Sequence, residues 1–260
     1  MPLHPQSKTF LDAIAEANAP AWFEMELSDA RRVFDTMPFF GQPPAVADIS
    51  DYPIAGVPVR LYRPELNKKH DVIVYFHGGG WVLGSVDSHD VVCRRLALAA
   101  GAAVVSVDYR RPPEDPFPAA IEDCFTVCDV LAMDHESFGL SGRMMVAGDS
   151  AGGNLSVAVS LMARDRGGPS LAGQMLIYPV IDSAMSGESY QTYGDGFGLT
   201  RETMAWFWNN YAGDPTSASR SHPRASPAHE KDLSGLPDTH VLTAEFDVLR
   251  SEAELFADRL

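Results

Sequence analysis

The sequence predicts an α/β chain of 260 residues: a mostly parallel sheet, helices on both of its faces, and a helical cap. Three observations carry that expectation. Short apolar runs such as DVIVYFH, AAVVSVDY and RMMVAGD suit strands buried on both faces. Helical patterns over residues 89–100, 117–133 and 151–164 separate most of these runs, and strand–helix alternation builds a parallel sheet. One long interval, residues 182–236, breaks the alternation and reads as a cap inserted between two strands.

Taken in order, residues 1–45 hold two amphipathic stripes. Phe10, Leu11, Ile14 and Ala17 form the first; Leu27, Ala30, Val33, Phe34 and Met37 form the second, before Pro38, Pro43 and Pro44 interrupt it. VPVRLYRP alternates like a strand, and QMLIYPV and HVLTAEFD add two further apolar runs. The α/β core is therefore expected over residues 46–181 and 237–260. In the cap interval, LTRETMAWFWNNYAG reads as a helix that Thr200 caps at its start and Gly213 at its end. Its stripe of Met204, Phe207, Trp208 and Tyr211 must pack outside the sheet, with the N-terminal helices as the expected partner. Together they would roof the carboxyl edge of the sheet, where open α/β folds bind ligands.

Charge excludes whole classes of function. With 20 basic against 35 acidic residues, a net charge of −15 repels nucleic-acid backbones and anionic lipid surfaces. MPLHPQSKTFLDAIAEANA lacks the basic and apolar regions of a secretory signal, and no run approaches a membrane span. Cys124 and Cys128 share an apolar helical face with Phe117, Ile121 and Leu131, so they read as core thiols rather than metal ligands. No nucleic acid, membrane, metal or cofactor is expected, and a reducing cytoplasm fits.

Two motifs carry chemistry. Gly148-Asp149-Ser150-Ala151-Gly152 fits G-x-S-x-G. The bare pattern is weak, but here a strand precedes it and a helical pattern follows, which is the context of a nucleophile elbow. The bland reading is a tight turn whose serine only caps the helix. His77-Gly78-Gly79-Gly80-Trp81 follows another strand. Its glycines let the backbone approach a ligand closely, and their amides, with that of Ala151, suit an oxyanion. A phosphate cradle is the rival. It fails on spacing, because Leu83 stands where a third dinucleotide-loop glycine belongs. His77 reads as a structural anchor of the loop.

With HGGGW, DYR, PFPAAIEDC, GDSAGGN, LIYPV, DLSGLP and EFDVLRSEAE in this order, the chain resembles the bacterial hormone-sensitive-lipase family of carboxylesterases, within the α/β-hydrolase fold. The resemblance runs through essentially the whole chain. It implies Ser150 as nucleophile, Asp247 as the triad acid, and an oxyanion hole from Gly79, Gly80 and Ala151, with Gly78 shaping its loop. Val248 stands where the family often has Pro, and Ser251 where it often has Asp.

Chain order in this fold is serine, acid, histidine. The family's histidine follows the acid by a few tens of residues, and this sequence ends sooner. The resemblance thus implies a member cut short, with the last strand, the histidine and the last helix missing. His4, His70, His89, His135, His222, His229 and His240 lack the order or context of the base. The function expected is hydrolysis of small acyl esters through an acyl-enzyme, with very little activity from these 260 residues alone. The alternative is a non-catalytic small-molecule binder, as in the plant gibberellin receptors, which resemble this family and lack the histidine. The uncovered edge of the last visible strand makes a homo-oligomer possible. Trp22, Phe23, Phe39, Phe40, Phe197, Trp206 and Trp208 could shape an acyl or alcohol pocket, although packing within the cap is the plainer expectation for most of them.

Overall fold

The computed structural model describes residues 2–37 and 41–260. Phe39 and Phe40 lie outside the described residues. One seven-stranded sheet organises the fold, in the order β1-β2-β4-β3-β5-β6-β7. The strands are β1 (Asp48–Ile54), β2 (Val57–Arg63), β3 (His70–Phe76), β4 (Ala103–Val107), β5 (Leu140–Asp149), β6 (Gln174–Ile177) and β7 (Thr239–Leu242). β1 pairs antiparallel with β2, and β2 with β4; the other five strands run parallel.

Continuous apolar runs form the central strands because both faces are covered. Along β3, Val72, Val74 and Phe76 enter the larger core, while Ile73 and Tyr75 enter a second cluster on the opposite face. Helix α4 (Ala119–Met133) and helix α5 (Ala151–Arg166) line the first face; Cys93 and Ala97 of α3 (Asp90–Ala100) line the second. Cys93, Cys124 and Cys128 are buried free thiols. No helix among the described residues is long and apolar enough to cross a membrane.

Sequence patterning misses β1. Its residues DISDYPI are half-exposed at the sheet edge and carry two acids and a proline, so no apolar run marks them. The N-terminal segment also departs from expectation. Helix α1 (Pro5–Ala17) buries no residue, and Phe10 and Ile14 stay exposed. Helix α2 (Leu27–Thr36) does reach the core through Ala30.

The cap contains a short α6 (Glu188–Thr192) and α7 (Arg201–Ala212); Thr200 Oγ1 caps α7 by accepting from the Thr203 amide. The α7 stripe packs on the glycine loop, and α7 also contacts the short N-terminal turn over Trp22–Glu24. Tyr211 stacks on Trp81 at 4.2 Å between ring centroids, and Trp208 lies 4.8 Å from the same ring. Helix α8 (Arg250–Ala257) follows β7 and buries Ala253 and Phe256.

Candidate active site

The chain leaves β3 for β4 on one side and returns to β5 on the other. Loops from the carboxyl ends of β3 and β5 diverge there, and such switch points open a crevice in α/β sheets. The glycine loop leaves β3 after Phe76, and the serine turn leaves β5 after Asp149. Phe76 and Gly148 are register partners.

Ser150 sits at φ 53° and ψ −115°, between β5 and α5. A non-glycine residue in this region is strained by about 1–3 kcal/mol and persists only where its surroundings enforce it. The enforcement is visible. The Ser150 amide donates to Ile177 O at 2.8 Å, and Val180 N donates to Ser150 O at 3.1 Å. Behind the turn, a Cβ on Gly152 would run into the Phe76 carbonyl, and one on Gly148 would meet both Gly152 and Phe76. Small residues are required because α5 starts directly against the end of β3. Asn154 secures the helix, its amide Nδ2 donating to Val180 O and Ala225 O at 3.0 and 2.9 Å. The Ser150 side chain is half-buried and hydrogen-bonds to no described residue.

Gly79 and Gly80 have φ of 107° and 60°. Leu83 N closes the turn on Gly79 O at 2.8 Å. The amides of Gly79, Gly80 and Ala151 donate to no acceptor among the described residues, which leaves them available to a ligand. The Gly78 amide is committed: it donates to Asp149 Oδ1 at 3.0 Å. Gly78 therefore shapes the loop and is not itself a free oxyanion donor. Trp81 also has positive φ, 64°, and its stack on Tyr211 holds it there. Arg31 of α2 donates through Nε to Val82 O at 2.9 Å, tying the N-terminal segment to the same loop.

His77 is buried, with its ring stacked on Tyr109 at 4.2 Å. Nδ1 bridges to Gly78 O at 2.8 Å, and Tyr109 OH donates to His77 O at 2.7 Å. Burial, helped by the neighbouring His89, holds its imidazole down at about 3. Such a ring stays neutral and anchors the loop. His89 points Nε2 at Asp149, 3.3 Å from Oδ1, and contacts Ser88 Oγ through Nδ1 at 2.9 Å. This resembles a second Ser-His-Asp relay. The Ser88 hydroxyl is buried and donates to Ser85 O, so it is no nucleophile.

Asp247 lies in the loop between β7 and α8, half-buried, with Oδ1 accepting from Leu249 N at 3.0 Å. Burial pushes its carboxyl above the usual range, opposed by that amide. Tyr178, just past β6, donates its amide to Leu242 O at 2.6 Å at the end of β7, and its neighbour Ile177 accepts the Ser150 amide, so this segment links the serine turn to β7. Ser251 has partners in this chain. Its Oγ lies 2.6 Å from Ser189 Oγ and accepts from Ser189 N at 3.1 Å, joining α6 to α8. Glu252 went unnoticed in the sequence. Buried, it accepts from Ile181 N at 2.7 Å, while its second oxygen has no described partner. Burial pushes its carboxyl well above the usual range.

A cleft of about 710 Å³ adjoins the acid loop, between α1, Phe197 and residues 244–246. Phe197 and Phe246 stack on its wall at 5.6 Å. Trp208 instead packs in the core, and Trp22 packs edge-on against Phe34 at 5.7 Å. These two belong to the scaffold.

Comparison with known proteins speaks to the fold and family. The model of an alpha/beta hydrolase fold family matches residues 73–260. The carboxylic ester hydrolase LipN of Mycobacterium tuberculosis is 41% identical over 241 residues, covering 88% of this chain and 63% of LipN. An ethyl acetate hydrolase of Pseudomonas putida is 34% identical over 278 residues, covering 100% of this chain and 86% of its own length. The hyperthermophilic esterase of the archaeon Pyrobaculum calidifontis superposes with a TM-score of 0.93 at 40% identity, over 100% of this chain and 85% of that one. The chain spans less than two thirds of LipN and of the M. tuberculosis carboxylesterase NlhH, at 63% and 66%. From its fold, its ordered motifs and these likenesses, the chain belongs to the alpha/beta hydrolase family, in its hormone-sensitive-lipase-like branch.

Proposed function

We propose that these residues form the nucleophile, acid and oxyanion-binding parts of a serine carboxylesterase for small acyl esters. One observation carries the reading: Ser150 stands on an enforced, strained turn beside a glycine loop whose Gly79 and Gly80 amides are uncommitted. The Ser150 oxygen attacks the ester carbonyl, and its proton passes by way of solvent to the departing alkoxide. The new oxyanion takes hydrogen bonds from Gly79, Gly80 and Ala151, each worth roughly 3–4 kcal/mol. The alcohol leaves, and water hydrolyses the Ser150 acyl-enzyme. Asp247 takes the place of the triad acid, which in the family orients a histidine base. Names of the matched proteins, an ethyl acetate hydrolase among them, support short acyl groups.

The base is the weak point of the 260 residues. His77 is neutral and bound into the glycine loop, and His89 is turned to Asp149. His70 lies between Gly101 O and Glu65 O, and His240 is exposed on β7. None of these four is arranged to take the Ser150 proton. Loss of a triad base costs about 10⁶ in turnover, roughly 8 kcal/mol of barrier. Very slow hydrolysis by these residues alone is the consequence. The test is p-nitrophenyl acetate turnover beside Ser150→Ala, with mass spectrometry of the peptide holding Ser150. A slow acetylation confined to Ser150 is expected. Ordinary esterase rates would remove the claim of a missing base, and no Ser150-dependent acetylation at all would favour a ligand binder.

A further inference from the structure

Asp149 occupies the unspecified position of G-x-S-x-G, yet its carboxylate is among the most heavily bonded groups in the core. Buried, it accepts from Tyr75 OH at 2.7 Å and from Gly78 N at 3.0 Å, both on Oδ1. His89 Nε2 lies 3.3 Å from Oδ1 and 3.4 Å from Oδ2. Burial alone would push the acid up; His89 and the Tyr75 hydroxyl more than offset this and hold it below the usual range. The acid is therefore an ionised acceptor. Buried carboxylates are costly unless their partners are well placed, so such a site is maintained for what it positions.

Its place in the chain shows what that is. Asp149 is covalently next to Ser150, and its carboxylate grips the first glycine of the facing loop. Nucleophile and oxyanion loop thus share one residue, through its backbone on one side and its side chain on the other. Gly78 must lack a side chain for the same reason, because a Cβ there would collide with the Asp149 carboxylate. This accounts for a glycine that offers no amide to the ligand.

We propose that Asp149 is a positioning residue, whose carboxylate clamps the Gly78 amide and so sets the Gly79 and Gly80 amides against Ser150. The proposal rests on the esterase reading for what the loop receives, while the clamp itself is tested without turnover.

The experiment compares Asp149→Leu with Asp149→Asn in the 260-residue protein. Both keep the branched shape of the side chain, with Leu the bulkier, but only Asn retains an oxygen that can accept from Gly78 and Tyr75. Amide hydrogen exchange over residues 77–83 is read beside the melting curve. Asp149→Leu is expected to speed exchange in that loop about 10-fold while α4 and α5 keep their protection, and Asp149→Asn to restore it to within about 3-fold. In parallel, phenylboronic acid is titrated against the Gly79 and Gly80 amide resonances. Ser150 Oγ bonds to boron and releases its proton to solvent, and the anionic boronate oxygen enters the hole. Its affinity is expected to fall about 10-fold in Asp149→Leu and to recover in Asp149→Asn. Unchanged loop exchange in a folded Asp149→Leu overturns the clamp, as does an Asn variant no better than Leu. If Asp149→Leu does not fold, Tyr75→Phe takes its place: loosening of about 3-fold is expected, and no loosening overturns the proposal. Wild type that ignores the boronate sinks the esterase reading, while the exchange arm still decides the clamp.

Discussion

The carboxyl ends of β3 and β5 and the carboxyl end of β7 are built to different standards. At β3 and β5 the final residues Phe76 and Asp149 are buried, three consecutive loop residues take positive φ, and backbone packs on backbone. At β7, residues alternate between half-buried and exposed, and the acid loop is held by a few polar contacts: Leu249 N on Asp247, Ser189 on Ser251, Ile181 N on Glu252. Strain survives only where many neighbours oppose its release. The first region can therefore hold Ser150 and Trp81 in costly conformations. The second holds Asp247 in a loop whose geometry depends on a few polar contacts, so its chemistry is the more easily retuned.

Matched glycine substitutions would break this comparison most sharply. In Gly152→Ala the new methyl meets the Phe76 carbonyl, fixed in the central sheet. In Gly187→Ala it meets the Ser251 hydroxyl, which can turn away. Chemical denaturation is expected to show a loss of about 3 kcal/mol for the first and under about 1 kcal/mol for the second. Equal losses would mean that the two regions are equally rigid.

Gly80→Ala probes the joint between loop and cap. Its φ of 60° disfavours a side chain, and the methyl would enter the Phe207 ring of α7. A loss of about 2 kcal/mol is expected. Pairing it with Phe207→Ala should recover about 1 kcal/mol of interaction in a double-mutant cycle, leaving the φ penalty behind. A coupling of zero would show that the cap does not set the loop.

Glu252 gives the acid region a pH signature. Its folded carboxyl titrates above the unfolded one, so the unfolded state releases its proton first as pH rises. The destabilisation is absent below the ordinary glutamate range, near 4.3, and grows above it until the folded group ionises. Glu252→Gln keeps the acceptor for Ile181 N and cannot ionise. Denaturation curves are expected to match wild type near pH 4 and to show the variant about 1–2 kcal/mol more stable at pH 7. The reverse trend would mean that the carboxylate is stabilised as an anion.

What the sequence made legible follows the same division. The β3 and β5 runs, the G-x-S-x-G turn and the glycine loop are local patterns, and local patterns survive without a fold. Asp149 was legible as a letter but not as a clamp, because its partners Tyr75, Gly78 and His89 lie 74, 71 and 60 positions away. The same holds for Glu252 and Ile181, 71 apart. The α7 stripe was visible, and the N-terminal segment that it was expected to meet touches it through Trp22–Glu24, but its stacking on Trp81 was not. A glycine-loop tryptophan with positive φ is no sequence signal, and α1, the more obvious amphipathic candidate, leaves its stripe outside the core.

Leu242 carries the smallest expected effect and tests the exposed end directly. It closes β7 with 48% of its surface accessible, on a strand that lies at the end of the sheet order. Leu242→Lys is expected to change unfolding free energy by no more than about 0.5 kcal/mol, whereas Val74→Ala in β3 should cost about 2 kcal/mol. An edge strand offers unpaired amides and carbonyls to a second chain, and a lysine there discourages pairing. If self-association runs through this edge, sedimentation of wild type should depend on concentration, and Leu242→Lys should remove the dependence without altering the melting curve. A substitution that left association intact would move the contact elsewhere. One that unfolded the protein would show that β7 belongs to the rigid half after all, since a strand supported by only a few contacts has little stability to lose.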